Sequence, residues 1–244
     1  MFWGRTNRIG YSRFITSIVR FVMKYSKTNA ELIRSYLVGC IYLLVGLVAA
    51  VVLLLAYQVN LLPYLNLDPT YLAVIPLTFI AQNSLTGLMI GLLIVAKPSL
   101  NLFSELARIP WVSYTMLMPA IMRVLSPLGA AVVEEVFFRG GVFLVLLTRF
   151  PETGAYFAIL VCTLLFVVEQ VLQTDTLGQG LILLVGSTSI SIVGCIAMLY
   201  TGSFLPALVC HPAYAFFYLQ LGSSLPRSNP GKQRSTPTSA YPDF

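Results

Sequence analysis

The chain has 244 residues, of which 57% are hydrophobic and 10% charged, with a mean hydropathy of +0.84. Soluble domains carry about 25% charged residues, so this composition excludes an ordinary soluble globule and points to a lipid environment. The net charge of +6 does not indicate nucleic acid, because the positive residues gather on the two tails.

Residues 1–34 are basic, with Arg5, Arg8, Arg13, Arg20, Lys24, Lys27 and Arg34 set against a single acid, Glu31. Phe14, Ile15, Ile18, Val19 and Val22 lie broadly opposite Arg13, Arg20 and Lys24 at helical spacing, which predicts an amphipathic helix in the membrane interface. An Arg-rich, acid-poor start is also similar to an organelle presequence.

The first apolar block, 35–57, runs 23 residues without a charge, and the second, 71–96, runs 26. About 20 residues cross the hydrocarbon core, so both qualify as spans. The stretch 98–123 is mixed, and its apolar part 111–122 is too short to cross, so it is expected to be interfacial or re-entrant. A third span is expected at 125–148, containing Glu134, Glu135 and Arg139. A fourth follows at 155–172 with Glu169 and Gln170 near its end, a fifth at 178–200, and a sixth at 204–221 with His211. The Ser/Pro/basic remainder, 222–244, holds Arg227, Lys232 and Arg234 and reads as a flexible tail.

The expected fold is therefore an all-α integral membrane protein with about six transmembrane helices plus an interfacial or re-entrant segment. Its parts are the basic segment 1–34, two spans and the interfacial segment over 35–123, a four-helix core over 124–221, and the tail 222–244. Both termini then share one side, and their basic character assigns them to the cytoplasm or its topological equivalent. Arg149 is the misfit, falling on the opposite side. Anionic headgroups of the bilayer are the expected partners of the basic tails.

Cys40, Cys162, Cys195 and Cys210 each lie in a separate apolar stretch with no paired spacing, which reads as buried packing and neither metal binding nor a disulfide framework. One histidine with carboxylates is a poor zinc set, and no cofactor motif is present. No nucleophile elbow supports a Ser–His–Asp arrangement.

The sharpest feature is AAVVEEVFFRGGVFLVLL, residues 130–147. A charged residue at a helix centre costs about 2.5–3.5 kcal/mol on insertion scales, so three of them must face protein or water and find partners. Glu135 and Arg139 are one helical turn apart, where an ion pair is natural. Glu134 points about 100° away and is left to meet another helix. A structural ion-pair cluster needs only one carboxylate for Arg139; the second allows chemistry, since a desolvated carboxylate can hold a water and act as general base.

Glu134-Glu135-x-x-x-Arg139-Gly140 resembles the EExxxR first motif of the CPBP family of intramembrane proteins, which includes the CAAX prenyl endopeptidases. TGSFLPALVCH, ending at His211, resembles the family's third motif. LLFVVEQ resembles the second motif, FxxxH, with Phe166 in place but Gln170 where histidine is expected. The resemblance covers residues 124–221. It implies that Glu134 would be the base, that Glu135 and Arg139 would support it, and that His211 would donate to the oxyanion. Two family positions depart: Gln170 replaces the histidine, and Ala215 stands where an asparagine or aspartate follows His211. Losing an oxyanion donor costs about 10²–10³ in rate. Losing a general base costs roughly 10²–10⁴. Glu169 is one residue from the expected base position, and so about 100° round the helix.

These departures favour a catalytically degenerate member that binds partner membrane proteins as scaffold, assembly factor or complex subunit. The alternatives are an active intramembrane endopeptidase on prenylated CAAX or other membrane-anchored peptides, and a transporter component whose buried charges line a pathway.

Overall fold

A computed structural model describes residues 37, 39–66, 68 and 73–223. The expected amphipathic segment 1–34, and all but the first two residues of the expected tail, lie outside the described residues. Among the described residues every regular element is helical. In chain order these are α1 (Gly39–Ala56), α2 (Val74–Ala96), two short helices α3 (Leu102–Arg108) and α4 (Pro110–Leu117), and α5 (Ala120–Glu135). A π-helical stretch, Val136–Phe143, joins α5 to α6 (Leu144–Arg149), so that Ala120 to Arg149 runs on as one composite helix. Then come α7 (Gly154–Val171), α8 (Leu177–Thr201) and α9 (Leu205–Ser223).

Four of these are long and apolar enough to cross a membrane: Gly39–Ala56, Val74–Ala96, Pro151–Val171 and Leu177–Thr201. The chain is an all-α membrane protein, but length and composition alone mark two fewer spans than the six apolar blocks suggest. The difference lies in the composite helix, which carries three buried charges, and in α9, of which only Leu205–Phe216 counts as an apolar helix among the described residues. The third element also begins earlier than expected, at Ala120, because Pro119 and the preceding Met118 break the chain there.

Helix α8 is the central element, packing against α2, α3, α7 and α9. Apolar side chains gain little by leaving lipid for another helix, so close approach depends on small residues. On α8 these are Gly186, Ser187, Ser189, Ser191, Gly194 and Cys195, all buried. Ser189 returns its hydroxyl to Val185 O at 3.0 Å, and Thr163 of α7 donates to Ser191 at 3.0 Å, so the buried hydroxyls are satisfied. Around this helix a core forms from Phe138, Phe143, Phe166, Ile190, Met198 and Phe204. The outward faces of α1 and α2, with Leu44, Val48, Leu55, Leu88 and Leu92 exposed, suit contact with lipid tails.

The segment expected to be interfacial folds as α3 and α4, of 7 and 8 residues, both too short to cross. Asn101 caps α3 by accepting from Ser104 N at 3.1 Å, and Pro110 starts α4, where its missing N–H costs nothing. Leu106, Ile109 and Val112 pack on Ile182 of α8 and Leu219 of α9. Thr176, which caps α8, also donates to Glu105 Oε2 at 2.6 Å and ties α3 to that end.

Arg149, the misfit of the charge pattern, is used by the chain itself. Its Nε and Nη2 donate to Tyr57 O at 2.6 Å and Gln58 O at 2.8 Å, satisfying carbonyls at the end of α1. Gln58 takes a left-handed φ of 52° there, and the Tyr57 and Phe150 rings meet edge to face.

Candidate functional site

Glu134 and Glu135 are the last residues of α5, and Arg139 lies in the π-helical stretch that follows. Such widened turns are rare and concentrate at functional sites. All three side chains are buried, Glu135 and Arg139 completely so and Glu134 to 8% exposure.

Arg139 Nη1 lies 3.0 Å from Glu135 Oε1, the pair expected from the spacing. The pair is an ion contact without good hydrogen-bond alignment, and none of the three guanidinium nitrogens has a hydrogen-bond partner among the described residues. Instead the group stacks over the Phe166 ring, 4.9 Å from its centroid, where the cation meets the negative face of the π-system. Gly194 of α8 leaves the space: a Cβ there would sit 3.4 Å from Arg139 Nε, 3.5 Å from Nη2 and 3.3 Å from Ala207 Cβ.

His211, from α9, completes this half of the site. Its Nδ1 is 2.8 Å from Glu135 Oε1, while Nε2 faces Glu134 Oε2 at a longer 3.5 Å. The Phe166 ring meets the imidazole edge to face at 5.6 Å. Phe166 thus supports both Arg139 and His211, with 1% of its own surface exposed.

Glu134 does meet another helix, though neither Gln170 nor His211 is its nearest partner. The Tyr42 hydroxyl of α1 lies 2.8 Å from Glu134 Oε1 and 2.9 Å from Glu169 Oε1. Gly46, one turn on from Tyr42, allows this approach: a Cβ at that position would fall 2.7 Å from Val133 Cγ1. Glu169 accepts a second bond from Gln170 Nε2 at 2.8 Å and a third from Gln173 Nε2.

The structure therefore brings Glu134, Glu135, Arg139 and His211 together, as the sequence pattern suggested. Gln170 bonds Glu169 and is joined to Glu134 only through Glu169 and Tyr42. Ala215 lies one turn after His211 on α9 and offers no polar atom. Tyr42 was not singled out in the sequence, where a tyrosine in an apolar span carries no sign of its partners. Glu169, offset along α7, enters the site because the phenol reaches across to it.

A helical membrane protein with a buried Glu–Glu–Arg–His centre at the meeting of four helices is the class that this fold and site define. Residues 116–217 match the family model for type II CAAX prenyl endopeptidase Rce1-like proteins, and the match supports a place in the CPBP group. No curated protein and no solved structure matches the chain. The matched stretch contains Glu134, Glu135, Arg139, Glu169 and His211, but not Tyr42.

Proposed function

We propose that this CAAX protease-like membrane protein is a divergent member that acts by holding partner membrane proteins, as scaffold, assembly factor or complex subunit, and does not hydrolyse peptides. Gln170 carries the reading. It stands where the family resemblance implies a histidine that takes a proton from water, and its amide is turned to Glu169 at 2.8 Å. An amide does not accept a proton at neutral pH, and loss of a general base costs roughly 10²–10⁴ in rate. Ala215 adds to the case, since it supplies no second donor beside His211 for an oxyanion. The basic tails on the cytoplasmic or equivalent side belong to the same reading.

The test is turnover of a prenylated CAAX peptide and a panel of membrane-anchored peptides by the purified protein. No turnover by the wild type, with hydrolysis gained in Gln170→His, is the expected outcome. Wild-type turnover that disappears in Glu134→Ala would sink the proposal.

One observation favours a second reading, an active endopeptidase. Glu169 is linked to Glu134 through one hydroxyl, so a carboxylate stands near the position that Gln170 vacates. On this reading Glu169→Gln abolishes turnover as completely as Glu134→Ala.

A further inference from the structure

We propose that Glu134, Tyr42 and Glu169 form a proton-holding site across three helices, with Glu134 kept as the neutral acid and its proton directed through the Tyr42 hydroxyl toward an ionised Glu169. Two independent counts lead there.

The first is a count of hydrogens. A phenol has one proton to donate, yet the Tyr42 oxygen lies within hydrogen-bond distance of two carboxyl groups, at 2.8 and 2.9 Å. Both contacts are hydrogen bonds only if one carboxyl carries a proton and donates it to the phenol oxygen.

The second is a count of charge. Among the described residues three carboxyl groups, Glu134, Glu135 and Glu169, face at most two cations, Arg139 and a protonated His211. Of the other basic side chains, Arg123 donates to Met118 O and Arg149 to Tyr57 O, both away from the cluster. A buried charge without a partner is costly, so neutrality of the cluster requires one proton on the carboxyls.

Geometry decides which carboxyl holds it. Glu169 is partly exposed near the end of α7 and receives Gln170 and Gln173 as donors in addition to Tyr42, the surroundings of an anion. Glu135 has Arg139 at 3.0 Å and His211 at 2.8 Å. Glu134 is the more deeply buried of the two that touch Tyr42, and among the described residues its second oxygen has only His211 Nε2 at 3.5 Å. The remaining titratable neighbours, Cys162 of α7 and Cys195 of α8, lie on the Arg139 side of the cluster.

Tyr42 is then a positioning residue. It comes from α1, outside the matched stretch, and it sets the charge of Glu134. The infrared carbonyl stretch of a protonated carboxyl, recorded on the full chain in lipid at neutral pH, in water and in deuterium oxide, reads the proton directly. The wild type is expected to show the band, Glu134→Gln to abolish it, and Tyr42→Phe to shift or remove it as the acceptor is lost. Absence of the band in the wild type, its persistence in Glu134→Gln, or an unchanged band in Tyr42→Phe would each overturn the proposal. Glu134→Gln mimics the neutral acid and should fold; if it does not, the Tyr42→Phe spectrum decides alone. Peptide turnover in the same preparation bears on hydrolysis only, so failure of the non-hydrolytic reading is distinguishable from failure of this one.

Discussion

Replacing Arg139 with methionine removes the charge while keeping much of the stem that lies over Phe166. In the wild type Nη1 and Glu135 Oε1 are 3.0 Å apart and both side chains have no exposed surface. At an effective dielectric of about 20 their attraction is about 5–6 kcal/mol, most of it offset by the desolvation of two buried ions. The pair therefore adds little net stability, but stranding one partner typically costs about 3–5 kcal/mol. Glu135 retains His211 at 2.8 Å, which can take a proton and partly neutralise it, so Arg139→Met should fall at the low end, about 3 kcal/mol. Adding Glu135→Gln removes the stranded charge and should restore most of the loss. Reversible unfolding in mixed detergent micelles measures both variants and their coupling. A cost under about 1 kcal/mol for Arg139→Met, or strict additivity in the double variant, would refute the assignment of a mutually dependent buried pair.

Three further outcomes follow from close approaches and end contacts. Gly46→Ala places a Cβ 2.7 Å from Val133 Cγ1, so α1 must retreat or Val133 must turn; the overpacking should cost about 1–3 kcal/mol in the same unfolding assay and move the Glu134 carbonyl band as Tyr42→Phe does. Gly194→Ala crowds Arg139 Nε at 3.4 Å and Ala207 at 3.3 Å, with an expected loss of about 1–2 kcal/mol that shrinks when Arg139 is already methionine. Arg149→Gln gives up the bonds to Tyr57 O and Gln58 O, and limited proteolysis of the 57–66 connection should become faster with little change in overall unfolding.

The parts of this site that were legible in the sequence are those whose cost or partner is local. Two glutamates and an arginine in an apolar run stand out because lipid forbids them unpaired, and the one-turn spacing of Glu135 and Arg139 names a pair that the structure forms at 3.0 Å. Span positions were legible for the same reason: α7 and α8 begin and end within a residue or two of the apolar blocks at 155–172 and 178–200. Charge also hid structure. The run that carries Glu134, Glu135 and Arg139 does not satisfy a hydropathy rule, and the π-helical stretch within it leaves no local signature, since no proline interrupts Val136–Phe143.

Long-range partners were not legible at all. Tyr42 is 92 residues from Glu134 and 127 from Glu169, and nothing at its own position distinguishes it from a tyrosine facing lipid. Read from α7 alone, Glu169 lies about 100° round the helix from Gln170, the position where the family resemblance expects the base. A phenol from α1 makes that offset immaterial: its oxygen reaches both carboxyls, and the reach depends on Gly46 letting two helices touch. The matched stretch 116–217 thus holds four charged or imidazole side chains that can be named from motifs, plus a fifth, Glu169, that acquires a role only when α1 is present. A site assembled from that stretch alone would lack the Tyr42 hydroxyl 2.8 Å from Glu134 and leave that carboxyl with His211 at 3.5 Å, without the link that ties it to Glu169.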